Sequence, residues 1–167
     1  MHRSEGEITE RFHIEKGGAM KKKKQAKVKV KVKDFDSMTV SQVMEKDVQY
    51  VRLKTKGDVI ASLTIEGFGA VPVVENGRKL TGIVSEHDLL GAVDDGHPLA
   101  TVLAKDIMTA NPYSVRPETT LGTLVHVLRA SDLIRVPVVN AKEKLVGIIA
   151  RRDLLRAYLA TGGKRQL

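Results

Sequence analysis

The sequence Val-Pro-Val-Val stands at residues 71–74 and recurs at residues 136–139, 65 positions later. The same spacing relates residues 82–90, Gly-Ile-Val-Ser-Glu-His-Asp-Leu-Leu, to residues 147–155, Gly-Ile-Ile-Ala-Arg-Arg-Asp-Leu-Leu. Residues 66–93 and the segment 65 positions later share 12 identities in 28 positions, where ordinary residue frequencies give about two. A fixed period of this length indicates an internal duplication, so the chain is built from two copies of one structural unit.

The second copy shows most clearly the pattern of each unit, which is strand, helix, strand, strand, helix. Val115 marks the first strand, and residues 136–139 and 145–149 predict the two strands of a hairpin with a polar turn at 141–144. Asp153 stands at the N-cap or in the first turn of the last helix. The middle helix is indicated by apolar residues at i, i+3, i+4 and i+7, namely Leu121, Leu124, Val125 and Leu128.

The first copy repeats this pattern, with Asn-Gly at residues 76–77 as a strong signal for a hairpin turn. Between the copies, residues 94–98 break the chain and residues 99–105 predict a short connecting helix. One unit of about 60 residues is too small to cover both faces of its sheet. We therefore predict an α+β fold in which two β-α-β-β-α repeats, at residues 37–96 and 97–160, pack sheet to sheet with pseudo-two-fold symmetry.

Composition argues against several classes of protein. Of the 167 residues, 42% are hydrophobic and 29% are charged, as in ordinary soluble domains. The longest run without Asp, Glu, Lys or Arg is ten residues, 119–128, whereas a membrane span needs about 20 apolar residues. No apolar segment with a cleavage site opens the chain and there is no Cys, so we expect a cytoplasmic protein. Because no His spacing or nucleophile motif stands out, we expect no metal, no required cofactor and no catalytic residue.

The net charge of +8 is concentrated near the start of the chain. Residues 1–33 hold 11 Lys and Arg against 4 Glu, whereas residues 34–167 hold 17 basic against 16 acidic residues. We expect a basic, flexible arm over residues 1–36 and a C-terminal tail over residues 161–167. Three interpretations of the arm stay open: a solvated tail or Lys-protected edge strand, an electrostatic contact with nucleic acid or anionic membrane, or a leader before a start at Met20.

The duplicated chain resembles a pair of CBS domains (cystathionine-β-synthase repeats), the tandem arrangement called a Bateman module. The resemblance covers residues 37–159 and rests on the duplication, the hydrophobic-Pro-Val-Val strand and a Gly-x-x-Ser/Thr-x-x-Asp turn before the last helix. In that family the module binds adenosine-containing ligands in clefts between the repeats, and two modules often pair into a homodimer. The resemblance therefore implies a regulatory sensor that binds AMP, ADP, ATP or S-adenosylmethionine without converting it and acts on an unidentified effector protein.

The residues of this motif suit such a ligand chemically. Asp88 and Asp153, at the start of a helix, can accept hydrogen bonds from both hydroxyls of a ribose. Ser85 can donate to ribose or phosphate, and Gly82 and Gly147 are expected to let the chain pass closely against the ligand. The alternative is that Asp88 and Asp153 only cap their helices, which is worth about 1 kcal/mol each.

The two copies differ in charge at this turn. The first copy places Glu86 and His87 between the serine and the aspartate. Because a carboxylate repels a phosphate, we expect the first cleft to take a nucleoside or to stay empty.

The second copy has Ala150 where the family carries Ser or Thr, and it supplies arginines instead. Arg151 and Arg152 follow at once, and Arg135 precedes the Val-Pro-Val-Val strand, where the family often carries a base that contacts phosphate. We expect these three arginines to converge on a phosphate in the second cleft. A solvated helix start is the alternative for Arg151 and Arg152.

The resemblance also implies an adenine-side or ribose-side contact for Thr109. Ile134 and Val71 are expected to wall the base, and a place in the core explains them equally well. A structural dimerisation module with empty clefts, whose Lys-rich arm docks on nucleic acid or an acidic surface, is the competing hypothesis, favoured by Ala150 and Glu86. The expected ligand site comprises Val71, Ser85, Asp88, Thr109, Ile134, Arg135, Arg151, Arg152 and Asp153.

Overall fold

The structure, a computed structural model, describes residues 34–163, and most of the predicted arm and tail lie outside these residues. The α+β fold is confirmed, and the described hairpins and helices follow the predicted order. The strand predicted at Val115 is reduced to a single parallel bridge with Val138. The first half contains β1 (Val51–Arg52), α1 (Gly57–Leu63), β2 (Ala70–Glu75), β3 (Lys79–Ser85) and α2 (Glu86–Asp94). The second half contains α3 (Ala104–Ile107), β4 (Thr109–Ala110), α4 (Leu121–Ala130), β5 (Arg135–Val139), β6 (Leu145–Ala150) and α5 (Arg151–Ala160).

The connection between the repeats differs from the predicted helix over residues 99–105, because the only helical part, α3, begins at Ala104. The carbonyls of Leu99 and Val102 accept hydrogen bonds from the backbone N–H groups of Asp58 (3.2 Å) and Gly57 (3.0 Å). These donors belong to the first turn of α1 and have no partner within the helix. The segment therefore forms a turn that caps α1, and the prediction of a helix over its full length was wrong.

The two repeats exchange edge strands. β1, β2, β3 and β4 form one sheet in that order, with β1 parallel to β2 and the other pairs antiparallel. Thr109 of β4 lies near the start of the second repeat, yet it pairs with Ile83 of the first. In the opposite direction, Glu45 lies near the start of the first repeat and pairs with Ile148 of β6, through N–H···O bonds of 2.9 and 3.0 Å. Each sheet is thus completed by a segment from the start of the other repeat.

The hydrophobic cores show the same exchange. The core around α4, β5, β6 and α5 includes Val40, at the start of the first repeat, and Phe35, from the end of the predicted arm. Phe35 meets the ring of Tyr158 edge-on at 5.5 Å. The core around β2, β3 and α2 includes Ala104, from the connection. A third cluster joins the halves through residues of both hairpins and the segment before β1: Val48, Val74 and Leu145, with Tyr50, Leu80 and Ile148 against it.

Gly82 and Gly147 lie within β3 and β6, where they were predicted to let the chain approach a ligand. Both are buried, and an added Cβ at Gly82 would fall 2.9 Å from the Cγ of Met108. At Gly147 it would fall 3.1 Å from the Cγ of Met44. These glycines make room for the two methionines that lead into the exchanged strands, so their role lies in packing and the prediction about them was wrong.

Among the described residues, no helix has the length and apolar character needed to cross a membrane.

Candidate functional site

The first candidate ligand group lies where β3 passes into α2. Ser85 is the N-cap of α2, and its hydroxyl accepts a hydrogen bond from the N–H of Asp88 at 3.3 Å. Asp88 returns the interaction, because its Oδ2 accepts from the Ser85 N–H at 2.7 Å and from the Ser85 hydroxyl at 2.6 Å. This capping box fixes the carboxylate in place. The other oxygen, Oδ1, makes no hydrogen bond or ion pair with any described residue and is free for a ligand.

The equivalent junction of β6 and α5 is simpler. Asp153 Oδ2 accepts from the Ala150 N–H at 2.9 Å, and Ala150 has no hydroxyl to add a second bond. Asp153 Oδ1 lies 3.6 Å from an Nη1 of Arg156 and 3.9 Å from Nε of Arg152. Both aspartates therefore occupy the third residue of their helix, and each uses one oxygen for capping. The capping role and a ligand role are compatible, because they use different oxygens of the same carboxylate.

The first cleft has a volume of about 470 Å³ and lies in front of the start of α2. Its polar side is formed by Ser85 and Asp88, together with Thr109 of the exchanged strand β4. Ile134, with 63% of its surface exposed, forms part of the apolar side, so its place is at the cleft and outside the core. The remaining lining residues are Gly69, Ala70, Ile83, Glu86, His87, Pro112, Tyr113, Asp132, Leu133, Arg135 and Pro137.

The second cleft has a volume of about 440 Å³ and lies in front of the start of α5. Residues from the segment 45–49, which lies before β1 in the first repeat, line its other side, as residues from the segment 109–113 of the second repeat do in the first cleft. Its lining is more strongly charged, since Arg135, Arg152 and Arg156 meet Asp153 there. The remaining lining residues are Glu45, Asp47, Val48, Gln49, Ala70, Pro72, Ile148 and Ala150.

Arg135 begins β5 and lines both clefts. Burial lowers the pKa of its guanidinium from the ordinary value, and the positive charge of Arg152 lowers it further. The carboxylates of Glu86 and Asp153 act on this pKa in the opposite direction. The guanidinium makes no hydrogen bond or ion pair with the described residues, so its donors are available to an anion.

Two of the predicted site residues lie elsewhere. Val71 is fully buried in the core of the first repeat and lines neither cleft. Arg151 turns back onto the end of α4, where its Nε donates to the carbonyl of Leu133 at 2.7 Å and its Nη2 to the carbonyl of Leu128 at 3.3 Å. Its Nη2 also lies 2.9 Å from Asp132 Oδ1. The geometry thus brings two of the three expected arginines, Arg135 and Arg152, to the second cleft.

Tyr113 and Arg156 are among the lining side chains that sequence reasoning did not single out. Tyr113 is half exposed in the first cleft, and no periodic pattern distinguishes a single aromatic residue in a loop. Arg156 follows Asp153 by three residues, and this spacing places both side chains on one face of a helix. That spacing was a usable signal for Arg156.

The comparisons with known proteins agree with this architecture. The family model for the CBS domain matches residues 40–95 and 104–160. An uncharacterized protein of Methanocaldococcus jannaschii is 35% identical over 124 residues, which are 74% of this chain and 45% of that protein. The chain therefore spans less than half the length of this relative.

Solved structures show the same fold. The crystal structure of CBSX2 of Arabidopsis thaliana in complex with AMP superposes with a TM-score of 0.67 and 31% identity, covering 74% of this chain and 98% of that one. A CBS domain pair in complex with 5′-methylthioadenosine and S-adenosyl-L-methionine superposes with a TM-score of 0.66, covering 72% and 99%, and at 20% identity it shares the fold. Since the family model matches two segments that together exceed half of the sequence, the chain belongs to the CBS domain family and carries a tandem pair of these domains.

Proposed function

We propose that this protein is a regulatory sensor that binds an adenosine-containing nucleotide in the clefts between its two CBS domains, without catalysis. The observation that carries the proposal is the matched placement of Asp88 and Asp153. Each carboxylate lines one cleft and is held by its own helix start through one oxygen. We expect the second oxygen to accept from ribose hydroxyls, which donate strongly to a carboxylate. In Asp153 this oxygen also lies 3.6 Å from Nη1 of Arg156 and 3.9 Å from Nε of Arg152.

The expected ligands are AMP, ADP, ATP or S-adenosylmethionine. AMP is supported by CBSX2, whose structure holds AMP and whose sequence is 31% identical. A phosphate group in the second cleft would meet Arg135 and Arg152, and planar guanidinium groups suit phosphate oxygens. The apolar wall at Ile134 and Tyr113 of the first cleft suits a purine base.

Binding in either cleft would draw together parts of both repeats, because each cleft is lined by residues of both. A ligand that favours the closed arrangement shifts the population toward it. We propose that an effector protein responds to this change, with the ligand bound and released unchanged. A cytoplasmic location is part of the proposal, since a chain without Cys suits a reducing compartment.

We also propose that the protein forms a homodimer. Leu90 on α2 and Leu155 on α5 are equivalent in the duplication, and they are 67% and 64% exposed. The same two helices expose Val93 and Leu159. Exposed apolar residues on successive turns of a helix favour burial against a partner surface.

The second candidate is a dimerisation module with empty clefts whose Lys-rich arm docks on nucleic acid or an acidic surface. Two observations favour it: Ala150 leaves the second cleft without a hydroxyl, and Glu86 places a carboxylate in the first. The arm itself lies outside the described residues. Docking of this kind predicts a steep loss of affinity with salt, and deletion of residues 1–33 should abolish it.

Calorimetric titration of AMP tests the proposal. Asp153→Ala is expected to abolish binding in the second cleft, where the arginines gather, and Asp88→Ala to leave that binding nearly intact. Asp153→Asn is the matched control for folding, since its amide oxygen can still accept from the Ala150 N–H. Equal losses from the two alanine variants would contradict this ranking of the clefts, and an absence of AMP binding to the wild-type chain would contradict the function.

A further inference from the structure

The two clefts meet at a pair of residues that are equivalent in the duplication. Ala70 begins β2 and pairs with Ser85, and Arg135 begins β5 and pairs with Ala150 in the same register. Both Ala70 and Arg135 line both clefts, so they lie where the clefts adjoin. The first repeat has Ala70 at this position and the second repeat has Arg135, so only the second repeat contributes a charged side chain there. A single guanidinium therefore lies where the two clefts adjoin.

Gly69 determines where that guanidinium lies. Its φ of +60° is in the left-handed region, and a Cβ added there would come within 3.0 Å of Cζ of Arg135. The absence of a side chain at Gly69 therefore leaves the space that the guanidinium occupies. The Arg135 guanidinium is half-buried against this backbone and makes no hydrogen bond or ion pair within residues 34–163.

The two sides of Arg135 differ in their other basic residues. The second cleft adds two more arginines, Arg152 and Arg156, beside the acidic Glu45, Asp47 and Asp153. The first cleft adds the acidic Glu86, Asp88 and Asp132, and apart from His87 it has no other basic residue in its lining. A phosphate in the first cleft thus depends on Arg135 alone for a permanent positive charge, whereas a phosphate in the second cleft has further cations.

We propose that Arg135 couples the two clefts, because a phosphate bound in the second cleft engages this guanidinium and weakens the binding of a phosphate-bearing nucleotide in the first. The inference rests on the proposed function and adds a rule for how the sites are filled. Once the second cleft holds a nucleotide, the first cleft prefers an adenosine compound without a phosphate, since Glu86 then faces no anion. The coupling is reciprocal, as linkage requires.

Cleft-resolved titrations of the ¹⁵N-labelled full chain test this inference. The amide signals of Glu86 and Thr109 report on the first cleft, and those of Gln49 and Arg152 report on the second. AMP and adenosine are titrated separately into the wild-type chain and into Asp153→Ala, in which the second cleft is disabled. Asp153→Asn, which keeps the helix cap, is the second variant. The dispersion of the spectra shows whether each variant is folded.

We expect the dissociation constant of AMP in the first cleft to be about tenfold lower in Asp153→Ala than in the wild-type chain. That of adenosine is expected to stay within twofold. In an Arg135→Gln background, addition of Asp153→Ala should no longer change the AMP constant. Equal AMP constants in the wild type and Asp153→Ala, or a tenfold change that persists with Arg135→Gln, would overturn the inference while leaving the proposed function intact. Failure of AMP to bind either cleft would overturn both.

Discussion

Asp88 Oδ2 lies 2.6 Å from the hydroxyl oxygen of Ser85 and 2.7 Å from its backbone nitrogen, whereas the equivalent Asp153 accepts only from the backbone of Ala150. The carboxylate of Asp88 therefore accepts one more hydrogen bond from its N-cap residue than the carboxylate of Asp153 does. The hydroxyl of Ser85 is occupied by this capping interaction. A nucleotide in the first cleft must use Asp88 Oδ1 or compete for that hydroxyl.

The first prediction concerns this difference in capping. Ser85→Ala should lower the free energy of unfolding by about 1 kcal/mol, since the N-cap hydroxyl of α2 is lost. Ala150→Ser should raise it by a similar amount, because it gives α5 the capping box that α2 already has. Urea denaturation followed by circular dichroism measures both. A loss of stability in Ala150→Ser would show that the two helix starts are not equivalent in geometry.

The second prediction separates two neighbouring arginines. Arg151→Ala should destabilise the protein by about 1–3 kcal/mol, because the carbonyls of Leu128 and Leu133 lose a charged donor. Its AMP affinity should stay within twofold of the wild type. Arg152→Ala should leave stability within about 0.5 kcal/mol and weaken AMP binding about tenfold, since a charge-assisted contact is removed. Thermal denaturation and calorimetry distinguish the two, and exchanged phenotypes would contradict the assignment of Arg152 to the cleft.

The third prediction tests the packing of the exchanged strand. Gly147→Ala should destabilise the protein by about 1–3 kcal/mol, because its Cβ would press on Met44 and on the carbonyl of Glu45. Gly91→Ala is the matched control: its Cβ meets no atom within 4 Å, and it should stabilise α2 by about 0.5–1 kcal/mol. Urea denaturation of both variants measures these changes in the free energy of unfolding. A neutral Gly147→Ala would mean that Met44 moves aside at little cost.

The fourth prediction addresses the proposed homodimer. Substitution of Leu90 and Leu155 by Glu should convert the dimer into a monomer, because it places charges at exposed apolar positions of both helices. Light scattering after gel filtration gives the mass directly. The control is Val59→Glu on α1, where the side chain is also half exposed and lies on a different helix. A wild-type chain that is monomeric at all concentrations would contradict the proposal.

The fold could be predicted from the sequence because the duplication and the local patterns indicate the same structural unit. A 65-residue period, the hairpin turn at Asn76 and the apolar spacing of α4 agree on one unit. The exchange of edge strands was missed, because Thr109 and Glu45 lie in segments too short for a periodic signal. Their pairing is set by the packing of one repeat on the other, which no local pattern encodes.

The candidate site was predicted in part, and the errors have physical causes. Arg151 and Arg152 are adjacent in sequence, but successive residues of a helix point about 100° apart, so only one of them can face the cleft. Val71 lies in a strand that is buried on both faces, where alternation no longer separates a cleft wall from the core. Arg135 was expected in one cleft and lines two, since its position near the pseudo-two-fold axis follows from tertiary structure alone.

The most direct test of the central claim is a thermal-shift panel with AMP, ADP, ATP, S-adenosylmethionine, NAD and guanine nucleotides on the full chain. A ligand at 100 times its dissociation constant stabilises the folded state by about 2.7 kcal/mol, which is several degrees for a protein of this size. We predict a rise in Tm that is selective for adenine nucleotides and is lost in the Asp88→Ala/Asp153→Ala double variant, each shift being taken from the ligand-free Tm of the same protein. No shift with any of these ligands at millimolar concentration, or equal shifts with adenine and guanine nucleotides, would contradict the claim that the clefts bind adenosine ligands.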